Sequence, residues 1–92
     1  MYYVYILRCA DQSLYVGYTR NIKRRVEAHN AGRGAAFTSK RRPVALVYAE
    51  SHDAKTAALR RERQLKRWTR KKKEVLIRGD LDLLRSLSKR RN

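Results

Sequence analysis

Few side chains in this sequence have chemistry to offer. Tyr5 and Tyr15 sit in short β-rich apolar runs, His29 follows Arg25 by four residues, and Glu62 stands in a run of arginines. Phenols have an ordinary pKa of about 10 and can hold or pass a proton when neighbours shift it. Residues four apart share a helix face. Arg25 and His29 would therefore project from one face, with His29 available as an auxiliary base or phosphate donor. Glu62 is a hard oxygen donor, suited to Mg²⁺ or Mn²⁺ with water and phosphate completing the shell. Each residue also has a plainer reading. The tyrosines can be half-buried packing residues with wet hydroxyls, Arg25 one phosphate contact among many, His29 a helix-end residue, and Glu62 a counter-charge on a crowded basic helix.

The elements that must position these groups can be read from the same chain. Residues 2 to 9 and 14 to 18 are two β-rich runs separated by Ala10-Asp11-Gln12-Ser13, a hairpin signal. A two-residue turn at Asp11-Gln12 would put Tyr5 and Tyr15 on opposite faces. A three-residue loop with a bulge puts them together, and we expect the odd loop. Asn21 caps a helix presenting Ile22, Val26, His29 and Asn30, ended by Gly32 and Gly34. Arg33 to Arg42 reads as a mobile basic loop able to touch a phosphate backbone. Pro43 opens a third strand over residues 44 to 49.

Asp53 begins a second helix with Ala54, Ala57, Ala58, Leu59, Leu65 and Trp68 available for burial. Thr69 caps a third helix that Gly79 stops, and Asp80 caps a last one ahead of a fraying tail. The expectation is a small α/β domain, a largely antiparallel three-stranded sheet flanked by helices in β-β-α-β-α-α-α order. It forms one domain over 1–92, with its core at about 2–78 and a C-terminal helix and basic tail over 79–92.

Charge narrows the partner. Across 92 residues there are 24 Lys plus Arg against 8 Asp plus Glu, a formal net charge of +16 spread from Arg8 to Arg91. Such an excess repels itself in the folded state, and a polyanion, nucleic acid first, accounts for it better than solubility does. An apolar run of the roughly 20 residues needed to span a bilayer is absent, so a membrane partner is not expected. The start of the chain reads as a strand rather than a signal. Cys9, the one cysteine, makes no internal disulfide and no zinc site of recognisable spacing with the two histidines; it reads as a small half-buried strand residue. A reducing, cytoplasmic location fits.

Three segments carry a family resemblance. Val4-Tyr5-Ile6 and Tyr15-Val16-Gly17 resemble the two halves of the motif that names the GIY-YIG nuclease superfamily, in its small stand-alone bacterial form. Asn21-Ile22-Lys23-Arg24-Arg25-Val26 resembles the family's first helix, and Ala58-Leu59-Arg60-Arg61-Glu62 the segment bearing its metal-binding glutamate. The glycine that opens the first motif has no equivalent, since Tyr3 or Val4 occupies its place.

The resemblance implies a divalent-metal-dependent endonuclease acting on DNA with low or structure-based specificity, in repair or recombination. Tyr5 would then accept or relay the proton of the attacking water, its pKa lowered by nearby cations. Tyr15 would hold the nucleophile or phosphate, Arg25 would stabilise the transition state, and Glu62 would bind Mg²⁺ or Mn²⁺. The competing reading is a non-catalytic nucleic-acid-binding or accessory module, for DNA or RNA, with a homodimer or partner protein enlarging its footprint.

Overall fold

The computed structural model describes residues 1–79. Three strands, β1 (Tyr2–Arg8), β2 (Leu14–Thr19) and β3 (Ala45–His52), form one antiparallel sheet in the order β2-β1-β3. The helices are α1 (Ile22–Asn30), α2 (Ala36–Ser39), α3 (Lys55–Arg67) and α4 (Arg70–Arg78). This is the expected α/β architecture with one short helix added. The expected last helix, opened by Asp80, lies outside the described residues.

The central strand β1 is buried on both faces, and its alternation sorts two cores. Val4 and Ile6 pack with Val16, Ala58, Leu65 and Leu76 on the α3–α4 side. Tyr5 and Leu7 pack with Cys9, Val44, Tyr15 and Val26 on the α1 side. Cys9 is therefore fully buried, where the sequence suggested half-burial. A bulge in the β1–β3 ladder between Ile6 and Leu7 leaves Val47 unpaired and turns it, with Tyr48, toward the α3–α4 core.

The hairpin register sums as the odd loop requires. Tyr5 pairs with Gly17 and Leu7 with Tyr15. Cys9 N–H donates to Ser13 O and Gln12 N–H to Cys9 O, both at 2.9 Å, enclosing a three-residue loop with Gln12 at φ +73°. Asp11 carboxylate accepts from the Ser13 backbone and hydroxyl and steadies the turn. Tyr5 and Tyr15 consequently share a face.

Asn21 caps α1 by accepting from Arg24 N–H at 3.1 Å, Thr69 caps α4 by accepting from Lys72 N–H at 3.2 Å, and Gly79 ends α4 at φ +76°. Asn30 binds both backbone groups of Val44, tying the end of α1 to the start of β3. A bidentate Arg8–Glu74 pair at 2.7 and 2.8 Å fastens α4 to β1.

Three expected boundaries are corrected. The third strand runs to His52 rather than ending at residue 49, because Glu50 and His52 face the α3 side and are satisfied there by Arg61 and by each other. The next helix is entered through Ala54, which is exposed, and Asp53 contributes no cap. The stretch Arg33 to Arg42 holds α2 and a fully buried Thr38 in place of a mobile loop, because His29 supplies that threonine with a buried partner.

Candidate active site

The floor of the site is set by a missing side chain. Gly17 lies opposite Tyr5, and a Cβ there would sit 2.5 Å from Tyr5 Cζ and 3.1 Å from Tyr15 Cε2. The Tyr5 ring thus lies across β2, whose outer edge pairs with no other strand among the described residues. Gly17→Ala is expected to displace Tyr5 and lower stability by about 1–3 kcal/mol through overpacking. Thermal melting, with the Tyr5 hydroxyl and ring resonances as a second readout, checks this.

A cleft of about 430 Å³ opens there, lined by Tyr5, Tyr15, Arg25 and Glu62 together with Tyr18 and Arg20. Tyr5 and Tyr15 arrive from the α1 face of the sheet, whereas Glu62 comes from α3, which packs on the opposite face. The two sets meet at the β2 edge. Four of the five side chains singled out in the sequence are thus brought together. A second groove, lined by Arg20, Arg24, Arg25 and Arg33, continues from the first, sharing Arg20 and Arg25 with it.

The fifth, His29, is fully buried and stands behind Tyr5. Its Nε2 is 2.9 Å from Tyr5 Oη, and Arg25 Nε donates to the same oxygen at 3.4 Å. Arg25 and His29 do act from one helix face, but they converge on the phenol. A direct role for His29 as phosphate donor is therefore corrected, because Tyr5, Tyr15 and Gly34 seal the imidazole from the cleft. The Tyr15 ring packs edge-on at 5.1 Å, and a Cβ at Gly34 would lie 2.6 Å from His29 Cγ.

One tautomer of His29 joins these contacts into a chain. With the single Thr38 Oγ1 proton directed to Ala35 O at 3.0 Å, the same oxygen accepts from His29 Nδ1–H at 2.7 Å. Nε2 then carries the lone pair and accepts the Tyr5 O–H. The chain runs Tyr5 to His29 to Thr38 to the backbone, with no buried side-chain polar atom left unpaired among the described residues. Thr38 and Gly34 were missed in the sequence because a threonine and a glycine in a basic loop carry no local sign of a partner in α1.

Burial pushes the Tyr5 phenol above its usual pKa, and the Arg25 hydrogen bond opposes this without overcoming it. The expectation that nearby cations lower it is corrected: loss of water around the ring outweighs one guanidinium. Burial, then the charge of Arg25, lowers His29 below its usual 6.5, so the imidazole is neutral at pH 7 and able to accept a proton.

The residues present fit a hard divalent cation. Glu62 is the one carboxylate among the described residues lining the cleft, and no group of three or more His, Cys, Asp or Glu gathers to cage a metal among the described residues. Mg²⁺ ordinarily keeps several waters and takes one or two carboxylates plus substrate phosphates. Glu62 also pairs with Lys66 at 3.3 Å, a contact that the half-exposed lysine can give up at little cost.

Fold and cleft together define a class. Residues 1–74 match the GIY-YIG catalytic domain, and the chain belongs to that family of nucleases. It is similar to small UPF0213 proteins: 50% identical over 82 residues to one from Haloquadratum walsbyi, covering 89% of this chain and 92% of that protein. It is also 53% identical over 76 residues to one from Natronomonas pharaonis, covering 83% and 89%. Among solved structures it resembles the UPF0213 protein of Bacillus halodurans in solution, with 44% identity, a TM-score of 0.55, and 84% and 83% of the two chains covered. A protein from E. faecalis gives 40% identity and a TM-score of 0.59, with 85% and 83% covered. No described helix is long and apolar enough to cross a membrane.

Proposed function

We propose that this protein is a divalent-metal-dependent endonuclease that hydrolyses DNA phosphodiester bonds with structure-based rather than sequence-based specificity. The observation that carries the reading is the convergence of Tyr5, Tyr15, Arg25 and Glu62 on one cleft, with a proton-accepting imidazole directly behind Tyr5.

Hydrolysis needs a water deprotonated as it attacks phosphorus and charge stabilised on the phosphoryl oxygens. Tyr5 Oη takes the proton from the attacking water while passing its own to His29 Nε2. The high phenol pKa is then no obstacle, since free phenolate never has to form. Arg25, a fixed planar cation beside that oxygen, stabilises the charge developing on the phosphoryl group. Tyr15 hydrogen-bonds the phosphate or the water. Glu62 would hold the divalent cation, which when bound would supply Lewis-acid stabilisation of the phosphoryl charge. The P–O ester bond breaks as the new P–O bond forms, and the departing oxygen takes a proton from solvent. Specificity of low sequence content follows from Arg20, Arg24 and Arg33 along the adjoining groove, because phosphate contacts position a strand without reading bases.

The direct test is cleavage of labelled single-stranded, duplex and branched DNA with Mg²⁺ or Mn²⁺ and with EDTA. Divalent-dependent cutting is expected. Tight binding without cutting in any metal would leave a nuclease fold acting as a binding module.

In this mechanism Thr38 is a positioning residue. Thr38→Val keeps the shape but removes the acceptor for Nδ1–H. It is expected to cost about 1–3 kcal/mol of stability and to move the His29 ring ¹⁵N resonances from the Nδ1–H pattern, whereas Thr38→Ser keeps both. An unchanged ¹⁵N pattern in the valine variant would remove Thr38 from the chain.

A further inference from the structure

Beside the cleft lies an aromatic surface that the proposed chemistry does not use. Phe37, on α2, keeps 39% of its surface exposed although its neighbour Thr38 is fully buried. Its ring is stacked on Tyr15, with centroids 6.0 Å apart and planes 28° apart, and Tyr15 in turn lines the cleft. The Arg41 guanidinium stands 3.9 Å from the Phe37 centroid. Arg41 is held in place rather than mobile: Nε donates to Asp11 Oδ2 at 3.1 Å and NH1 to Phe37 O at 2.9 Å. Phe37 thus touches both the Arg41 guanidinium and the cleft tyrosine while part of its own surface stays open to solvent.

We propose that Phe37 and Arg41 form a ledge that takes an unpaired nucleobase next to the phosphate held in the cleft, so that the preferred substrate is a single-stranded or splayed segment of nucleic acid. The inference rests on the reading of the cleft as the phosphate site. An exposed phenylalanine in a chain of net charge +16 costs solvation that a base would recover. Aromatic rings and guanidinium planes are the two surfaces on which bases stack irrespective of sequence. A paired base has both faces covered inside the duplex and cannot use such a ledge. The fixed guanidinium has little freedom left to lose on binding, which favours affinity. The asymmetry is also chemical: the groove lined by Arg20, Arg24 and Arg33 offers charge for phosphates, whereas the Phe37 side offers a ring for a base.

The test is binding in EDTA, where turnover is suppressed, of fluorescein-labelled single-stranded DNA, single-stranded RNA and duplex DNA of one sequence, read by anisotropy. Phe37→Leu keeps apolar contact with Tyr15 but has no π-face, and Phe37→Trp keeps the face. Stacking by one base predicts that the leucine variant loses about tenfold in affinity for single strands, loses little for duplex, and that tryptophan restores or exceeds wild type. The DNA and RNA arms show which strand chemistry the ledge prefers, and the predicted loss in either supports it. Unchanged single-strand affinity in Phe37→Leu, or an equal loss on duplex and single strand, overturns the proposal. Wild-type cleavage with Mg²⁺ or Mn²⁺ is measured separately. Absent cleavage with an intact Phe37 effect sinks the catalytic reading alone, and cleavage with no Phe37 effect sinks the ledge alone.

Discussion

Glu62→Gln is expected to lower divalent-dependent cleavage by about a thousandfold or more, because metal-held charge stabilisation is worth several kcal/mol at the transition state. The substitution preserves size and helix propensity and removes only the anionic oxygen that a hard cation requires. Its structural cost is small, since the one ion pair lost is with the half-exposed Lys66. DNA binding should hold or tighten slightly, as a negative charge leaves the wall of a phosphate cleft, and the slope of log affinity against log salt should stay as in wild type. Chelating the metal from the wild-type protein should reproduce the loss. Cleavage at the wild-type rate in the glutamine variant would place the metal elsewhere. A parallel fall in binding would mean that Glu62 acts through the fold.

Tyr5→Phe is expected to reduce cleavage by about a hundred- to ten-thousandfold, the range for loss of a positioned proton-transfer group. The buried ring stays, so packing in the α1-side core is kept, and the variant leaves His29 Nε2 without its donor and Arg25 Nε without that acceptor. The pH dependence of kcat/KM distinguishes a relay from a free phenolate. His29, lowered below 6.5 by burial and Arg25, must be neutral to receive the proton. Activity should therefore be flat through neutrality and fall on the acid side only below pH 6.5. A phenolate acting alone, with its pKa raised above 10, would instead give a rate that climbs with pH throughout that range. The linked stability term has the same sign: the unfolded histidine binds a proton below about 6.5 while the folded one resists it, so folding stability contributed by neutral His29 is lost as pH falls from 6.5 toward its lowered pKa.

Much of the site was legible in the chain because its causes are local. A three-residue loop at Ala10-Asp11-Gln12 decides the parity of β2, and with it the shared face of Tyr5 and Tyr15. Asn21, Thr69 and Gly79 mark helix ends by side-chain or backbone chemistry within three residues of themselves. Helical spacing of four sets Arg25 and His29 against one phenol. Glu62 follows Ala58 by four and precedes Leu65 by three, which puts it on the buried stripe of α3 rather than on its solvated basic face. The element order and the antiparallel sheet were therefore determined by sequence, and the four cleft residues were picked out by resemblance to the GIY-YIG segments.

Tertiary structure decided what depends on neighbours distant in the chain. Thr38 became the acceptor for His29 only because α2 folds back on α1, and nothing within Arg33 to Arg42 announces that contact. β3 lengthened to His52 because Arg61, from α3, neutralises Glu50. The direction of the Tyr5 pKa followed from how much water the packed ring loses, a quantity that spacing does not encode, set against a single guanidinium at 3.4 Å. Phe37 stays exposed beside the cleft for the same kind of reason: burial is a property of the assembled surfaces, whereas turn parity, capping and helical phase are properties of a few consecutive residues.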